Sequence, residues 1–97
     1  MIDSLLKCGI SKGTIDKISE NKSLEYTLWC NLDDCKQIIE YLQSIGIMDI
    51  DELLIFKPGI FVETKEDIET LFNKNGNINE LVNLINDNYT NMDLLFE

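Results

Sequence analysis

Three groups of carboxylates are the residues of this chain best placed to do chemistry: Asp33-Asp34, Asp49-Asp51-Glu52 and Glu66-Asp67. Paired acids become catalytic when burial and mutual repulsion drive their pKa values apart. These pairs stand instead at expected first turns of helices, where the positive end of the helix dipole accounts for negative charge. They are read as a solvated acidic face, extended by Glu63 and Glu69, and no catalytic residue is assigned. The cysteines Cys8, Cys30 and Cys35 are an odd number in a chain whose start, Met1-Ile2-Asp3-Ser4, has no basic signal region. Reduced thiols are therefore expected. The Cys30–Cys35 spacing is wrong for a redox C-x-x-C pair, and a zinc site would need a fourth ligand in a chain with no His. Cys35 falls on an apolar stripe and is expected in the core. The run Asn73-Lys74-Asn75-Gly76-Asn77 fails as a calcium loop. With Asn73 first, the glycine position holds Ile78 and the bidentate-acid position holds Leu84. No metal and no cofactor are expected.

What is missing limits function further. The chain has no His, the side chain best suited to proton transfer near neutrality, and no Arg, the fork that reads phosphate and guanine. No glycine-rich phosphate loop, no G-x-S-x-G elbow and no Cys/His pair can be assembled. The protein is not expected to be an enzyme.

Charge points the same way. The net charge is −10, and residues 1–24 hold four Lys against Asp3, Asp16 and Glu20, which leaves the acidic excess in residues 25–97. Such a surface repels nucleic-acid phosphates and attracts basic partners. Lys7, Lys12, Lys17 and Lys22 are the candidate phosphate contacts, but their five-residue spacing spirals around a helix and makes no stripe. At 44 % hydrophobic residues the chain has the material for a core. It has no apolar run near the roughly 20 residues that span a bilayer. A cytoplasmic, soluble protein is expected, with no membrane contact.

The elements that would position these residues read as helices. Asn31/Asp34, Asp49/Glu52, Thr64/Asp67 and Asn77/Glu80 have the spacing of capping boxes. Each is followed by an apolar stripe at helical period, for example Cys35, Ile38, Ile39, Leu42 and Ile45. Gly46 and Gly76 stand where helices stop, and Pro58-Gly59 breaks another. The segment Asp49 to Phe56 recurs 28 positions later as Asn77 to Leu84, with Asn77 and Asn79 replacing Asp49 and Asp51. Upstream, Leu5-Leu6-x-x-Gly9-Ile10 echoes Leu42-x-x-x-Gly46-Ile47, and Ser11 to Ile18 reads as a short second helix weakened by Gly13. The expectation is a single all-α domain over 1–97: a helical-repeat, α-solenoid-like array of about six short helices. Its parts are a degenerate first unit at 1–30, a repeat at 31–63, and a repeat with a closing segment at 64–97. The alternative is an α+β domain with a small hairpin at 53–63, and Tyr26 to Trp29 also has strand-like propensity.

The arrangement Ile39-x-x-Leu42-x-x-x-Gly46-Ile47, then Leu53-Leu54-Ile55, then Lys57-Pro58-Gly59-Ile60-Phe61 resembles one repeat of the mitochondrial transcription termination factor (mTERF) family. A second, worn copy lacks the proline at Asn86-Asp87-Asn88-Tyr89. The resemblance implies a curved α-solenoid that holds nucleic acid on a basic concave face. The residues of that face, Arg and Lys, have no counterparts in the acidic repeats here.

The leading functional expectation is a non-enzymatic module that binds a basic protein surface through Asp33, Asp34, Asp49, Asp51, Glu52, Glu63, Glu66, Asp67 and Glu69. A nucleic-acid-associated regulator of the mTERF kind is the alternative, and an acidic mimic of nucleic acid that blocks a DNA-binding protein is a third. Aromatic residues are expected mostly in the core; an exposed Trp or Tyr would be an interface anchor. The tail from Asn91, with Leu95 and Phe96, either closes the last repeat or stays open for self-association.

Overall fold

The computed structural model describes residues 2–96, and side chains from Asp3 to Leu95. Among these residues there is no strand. There are seven α-helices and two 3-10 segments: α1 (Ile2–Lys7), α2 (Lys12–Glu20), α3 (Lys22–Cys30), α4 (Leu32–Ser44), α5 (Ile50–Phe56), a 3-10 turn (Pro58–Val62), α6 (Lys65–Lys74), α7 (Ile78–Asp87) and a C-terminal 3-10 segment (Tyr89–Phe96). The protein is an all-α helical array. The hairpin alternative at 53–63 is not supported, because α5 runs through Phe56 and Pro58 opens a 3-10 turn. The strand-like stretch Tyr26 to Trp29 lies inside α3. More helices form than the six expected because α3 and both 3-10 segments are short, and their apolar residues do not show a clean helical period.

Capping separates into two groups for a geometric reason. Ser11, Asn21, Thr64 and Asn77 have extended backbones, with ψ of 153, 96, 159 and 117°, and each accepts the N–H three residues on. Asn31 and Asp49 have ψ of 29 and 49°, and neither makes a side-chain cap bond. An extended cap aims its side-chain oxygen at the exposed N–H groups, and a smaller ψ turns it away. Asn31 uses its amide backwards instead, donating to the Thr27 carbonyl at the end of α3.

Two helix ends are built alike. Gly9 (φ 95°) and Gly46 (φ 99°) adopt left-handed conformations after α1 and α4. Ile10 N–H donates to the Leu5 carbonyl and Ile47 N–H to the Leu42 carbonyl, the six-to-one bond of a Schellman stop. All four of these apolar residues are buried, which supplies the contact that accompanies the motif. Gly76 is also left-handed, but the next residue is the exposed Asn77 rather than isoleucine, and its N–H makes no such bond among the described residues.

The turn after the short helices also repeats. Lys57 N–H closes α5 on Leu53, and Asn88 N–H closes α7 on Leu84. In the first copy Pro58 sets the backbone of the following 3-10 turn. In the second, which has no proline, the Asn88 side chain accepts from both the N–H and the hydroxyl of Thr90. Such an Asx turn fixes the chain direction by hydrogen bonds where proline fixes it covalently. Ile60 and Phe61 are buried from the first copy, and Met92 and Leu95 from the second. Leu95 thus closes the C-terminal unit, and the Phe96 side chain lies outside the described residues.

Neighbouring units meet through apolar packing of α2 on α5, α4 on α6, and α5 on the C-terminal 3-10 segment. Side-chain amides then reach from each unit to the glycine turn before it. Gln43 Nε2 donates to the Cys8 carbonyl, and Asn86 donates to the Gly46 carbonyl at 2.9 Å while accepting Met48 N–H at 2.9 Å. A Cβ at Gly46 would lie 3.6 Å from Val82 Cγ1, so space exists but the φ does not suit an L residue. Gly46→Ala is expected to lower stability by about 1–2 kcal/mol. Gly13, helical and open to solvent with nothing within 4 Å of an added Cβ, behaves oppositely. Gly13→Ala is expected to raise stability by roughly 0.5–1 kcal/mol. Urea unfolding of the two variants checks both signs.

Candidate interaction surface

The nine acids read from the sequence occupy separate places. Asp49, Asp51 and Glu52 line a shallow cleft of about 340 Å³ with Gly9, Gln43 and Met48, between the α1–α2 and α4–α5 connections. Asp33 and Asp34 lie at the α3–α4 elbow, in a second cleft of about 270 Å³. Glu63 precedes α6, and Glu66, Asp67 and Glu69 lie on it. None is buried. Asp51 accepts the Ser11 N–H at 3.2 Å and so ties α5 to the start of α2. Glu69 pairs with Lys65 at 3.6 Å. Further ion pairs among the described residues join Lys22 to Glu25 at 3.6 Å and Lys57 to Asp93 at 2.6 Å. Among the described residues, Asp33, Asp34, Asp49, Glu52, Glu63, Glu66 and Asp67 have no cation in ion-pair range.

The four lysines considered for phosphate contact are all exposed, on three different helices: Lys7 on α1, Lys12 and Lys17 on α2, and Lys22 on α3. Lys22 is engaged with Glu25. Among the described residues no group of three metal-ligating side chains occurs, and no buried side-chain nitrogen or oxygen lacks a partner.

The aromatic residues divide more sharply than the sequence indicated. Phe61 and Phe72 are fully buried, and Tyr41 meets Phe72 edge-on with ring centres 6.1 Å apart. Tyr26 and Trp29 are instead 66 % and 63 % exposed, which corrects the expectation that they pack in the core. The reason is the wheel of α3. Leu28 is buried and Leu24 half-buried on one side, so Tyr26, Trp29 and Cys30 are carried away from the core. A signal was present in the sequence. Leu24, Tyr26, Leu28 and Trp29 are apolar on too many sides for a nine-residue helix that buries one stripe. Interaction with the neighbouring Cys30 side chain raises the Tyr26 hydroxyl above its usual value. A smaller apolar group, Ile55, Phe56, Leu84 and Leu94, is exposed on α5, α7 and the C-terminal segment, where Phe56 meets Tyr89 edge-on at 5.3 Å.

The chain matches no family model, no curated protein and no solved structure. Its function has to be read from its own surface.

The three thiols differ as their burial does. Cys35 is buried as expected, and burial first, with Cys8 second, pushes its thiol up to about 12 from an ordinary 9.0. Burial also raises Cys8, reinforced by Glu40 and opposed by Lys36, while Cys30 is exposed. The native state therefore favours neutral Cys35. Its contribution to stability is complete below the unfolded value near 9 and is lost as pH rises towards about 12. The unfolding midpoint is expected to fall above pH 9 with a slope of up to roughly 1.4 kcal/mol per pH unit. Cys35→Ala should flatten that slope, as urea titrations at successive pH values would show.

Proposed function

We propose that the protein is a non-enzymatic, acidic helical-repeat module that acts by binding a protein with a basic surface. The observation that carries this reading is the meeting of unpaired carboxylates with an exposed aromatic face. Asp33 and Asp34 have no cation in ion-pair range among the described residues, and Trp29, far more exposed than folding requires, lines the same cleft, with Tyr26 also exposed on α3. Exposed Trp and Tyr are the residues most often found as anchors of interfaces. Unpaired charge around them steers a partner of opposite sign. The acidic groups at α5 and α6 extend the same field over more of the surface.

Resemblance to mTERF repeats supports proposing the repeat architecture, since the units run helix, glycine, short helix and turn. It does not favour a nucleic-acid site here. The lysines available are spread over three helices and the remainder of the chain is acidic. Cytoplasmic location is part of the same proposal; no described helix is long and apolar enough to cross a membrane.

The test is a low-salt titration of the full chain with duplex and single-stranded nucleic acid and, separately, with polylysine. Association with the polypeptide alone, weakened by added salt, is the expected result. Binding to either nucleic acid, with none to the polypeptide, would overturn the reading.

A further inference from the structure

We infer that the outward face of α3 at Trp29, together with the α3–α4 elbow, is a docking surface for an arginine side chain on the basic partner. This inference rests on the reading of the protein as a binder of basic proteins and names the group it recognises. Trp29, Asn31, Asp33 and Asp34 line one cleft of about 270 Å³. The indole is mostly exposed, so a flat cation can approach its face. Asp33 is exposed and Asp34 half-buried, and neither is in an ion pair among the described residues. The chain contains no arginine of its own to fill the cleft. A planar guanidinium stacks on an aromatic face and offers paired N–H donors to a carboxylate, two demands that this one cleft meets together. An ammonium satisfies the charge but neither the stacking nor the paired hydrogen bonds. The neighbouring elements do not compete for the acids. Asn31 directs its amide to the Thr27 carbonyl.

The single Trp of the chain makes the test direct, because its emission reports this site alone. The full chain is titrated with an arginine-glycine repeat peptide, its lysine-glycine counterpart and a serine-glycine control, following Trp29 fluorescence and heat in parallel. The arginine peptide is expected to change the emission saturably and to bind at least about fivefold more tightly than the lysine peptide. The double variant Asp33→Asn, Asp34→Asn is expected to weaken it about tenfold with unchanged circular dichroism. Equal binding of both basic peptides would overturn the guanidinium assignment. Heat with unmoved emission and an unaffected double variant would place the basic partner elsewhere, overturning this inference while leaving the acidic-module reading intact. No binding of either basic peptide by either readout would overturn both.

Discussion

Phe61→Ala is expected to lower the stability of the protein by about 3–5 kcal/mol. Phe61 is fully buried, and it leaves the main chain from the 3-10 turn that packs on α3, α4 and α5. Removing a ring that is fully buried leaves a cavity in the core beneath that turn. Small domains are stable by about 5–15 kcal/mol in total, so a loss of that size removes a large share and can unfold the chain at about 37 °C. Urea unfolding followed by far-ultraviolet circular dichroism checks it. The midpoint should fall with little change of slope. A loss below about 1 kcal/mol would show that the turn after α5 does not pack as described.

Trp29→Ala is expected to do the reverse. An aromatic residue that is 63 % exposed contributes little to folding, and stability should stay within about 0.5 kcal/mol of the parent. Affinity for a basic partner should instead fall by about 2 kcal/mol or more, roughly thirtyfold, as for an interface anchor. Calorimetry is the suitable readout, since the substitution removes the fluorophore. Two large aromatic residues thus have opposite expected consequences, one for the fold and one for recognition. Exposure alone decides which is which. Loss of stability comparable with that of Phe61→Ala would return Trp29 to the core and withdraw the anchor role.

Much of the fold was legible because helices declare themselves at their ends. Thr64 and Asn77 cap as their spacing indicates, and Gly46-Ile47 repeats the stop made by Gly9-Ile10. The stripe of α4 is buried at Cys35, Ile38, Ile39 and Leu42. Two caps failed for a reason that spacing does not carry. Whether Asn31 or Asp49 bonds its helix depends on ψ, which the preceding helix and turn determine. The missing proline after α7 was also misleading as a mark of wear. Asn88 and Thr90 make the same turn by hydrogen bonds.

The interaction surface was less legible than the fold. Residue type locates charge but does not say whether a carboxylate is engaged internally, as Asp51 is with Ser11. Long-range amide contacts were invisible for the same reason. Gln43 and Asn86 read as ordinary surface residues until the glycine turns of the preceding units are brought against them. For α3, composition alone leaves open which of its apolar sides is buried. Contact with α2 and the 3-10 turn settles that in favour of Leu28 and turns Trp29 outward.

The most direct measurement of the central proposal is capture by the immobilised full chain from lysate of its native host, at low and high salt. Bound protein is identified by mass spectrometry and bound nucleic acid is quantified. The expected result is a discrete set of basic proteins, retained at low salt, released at high salt and unaffected by nuclease. Nucleic acid recovered without a bridging protein would contradict it.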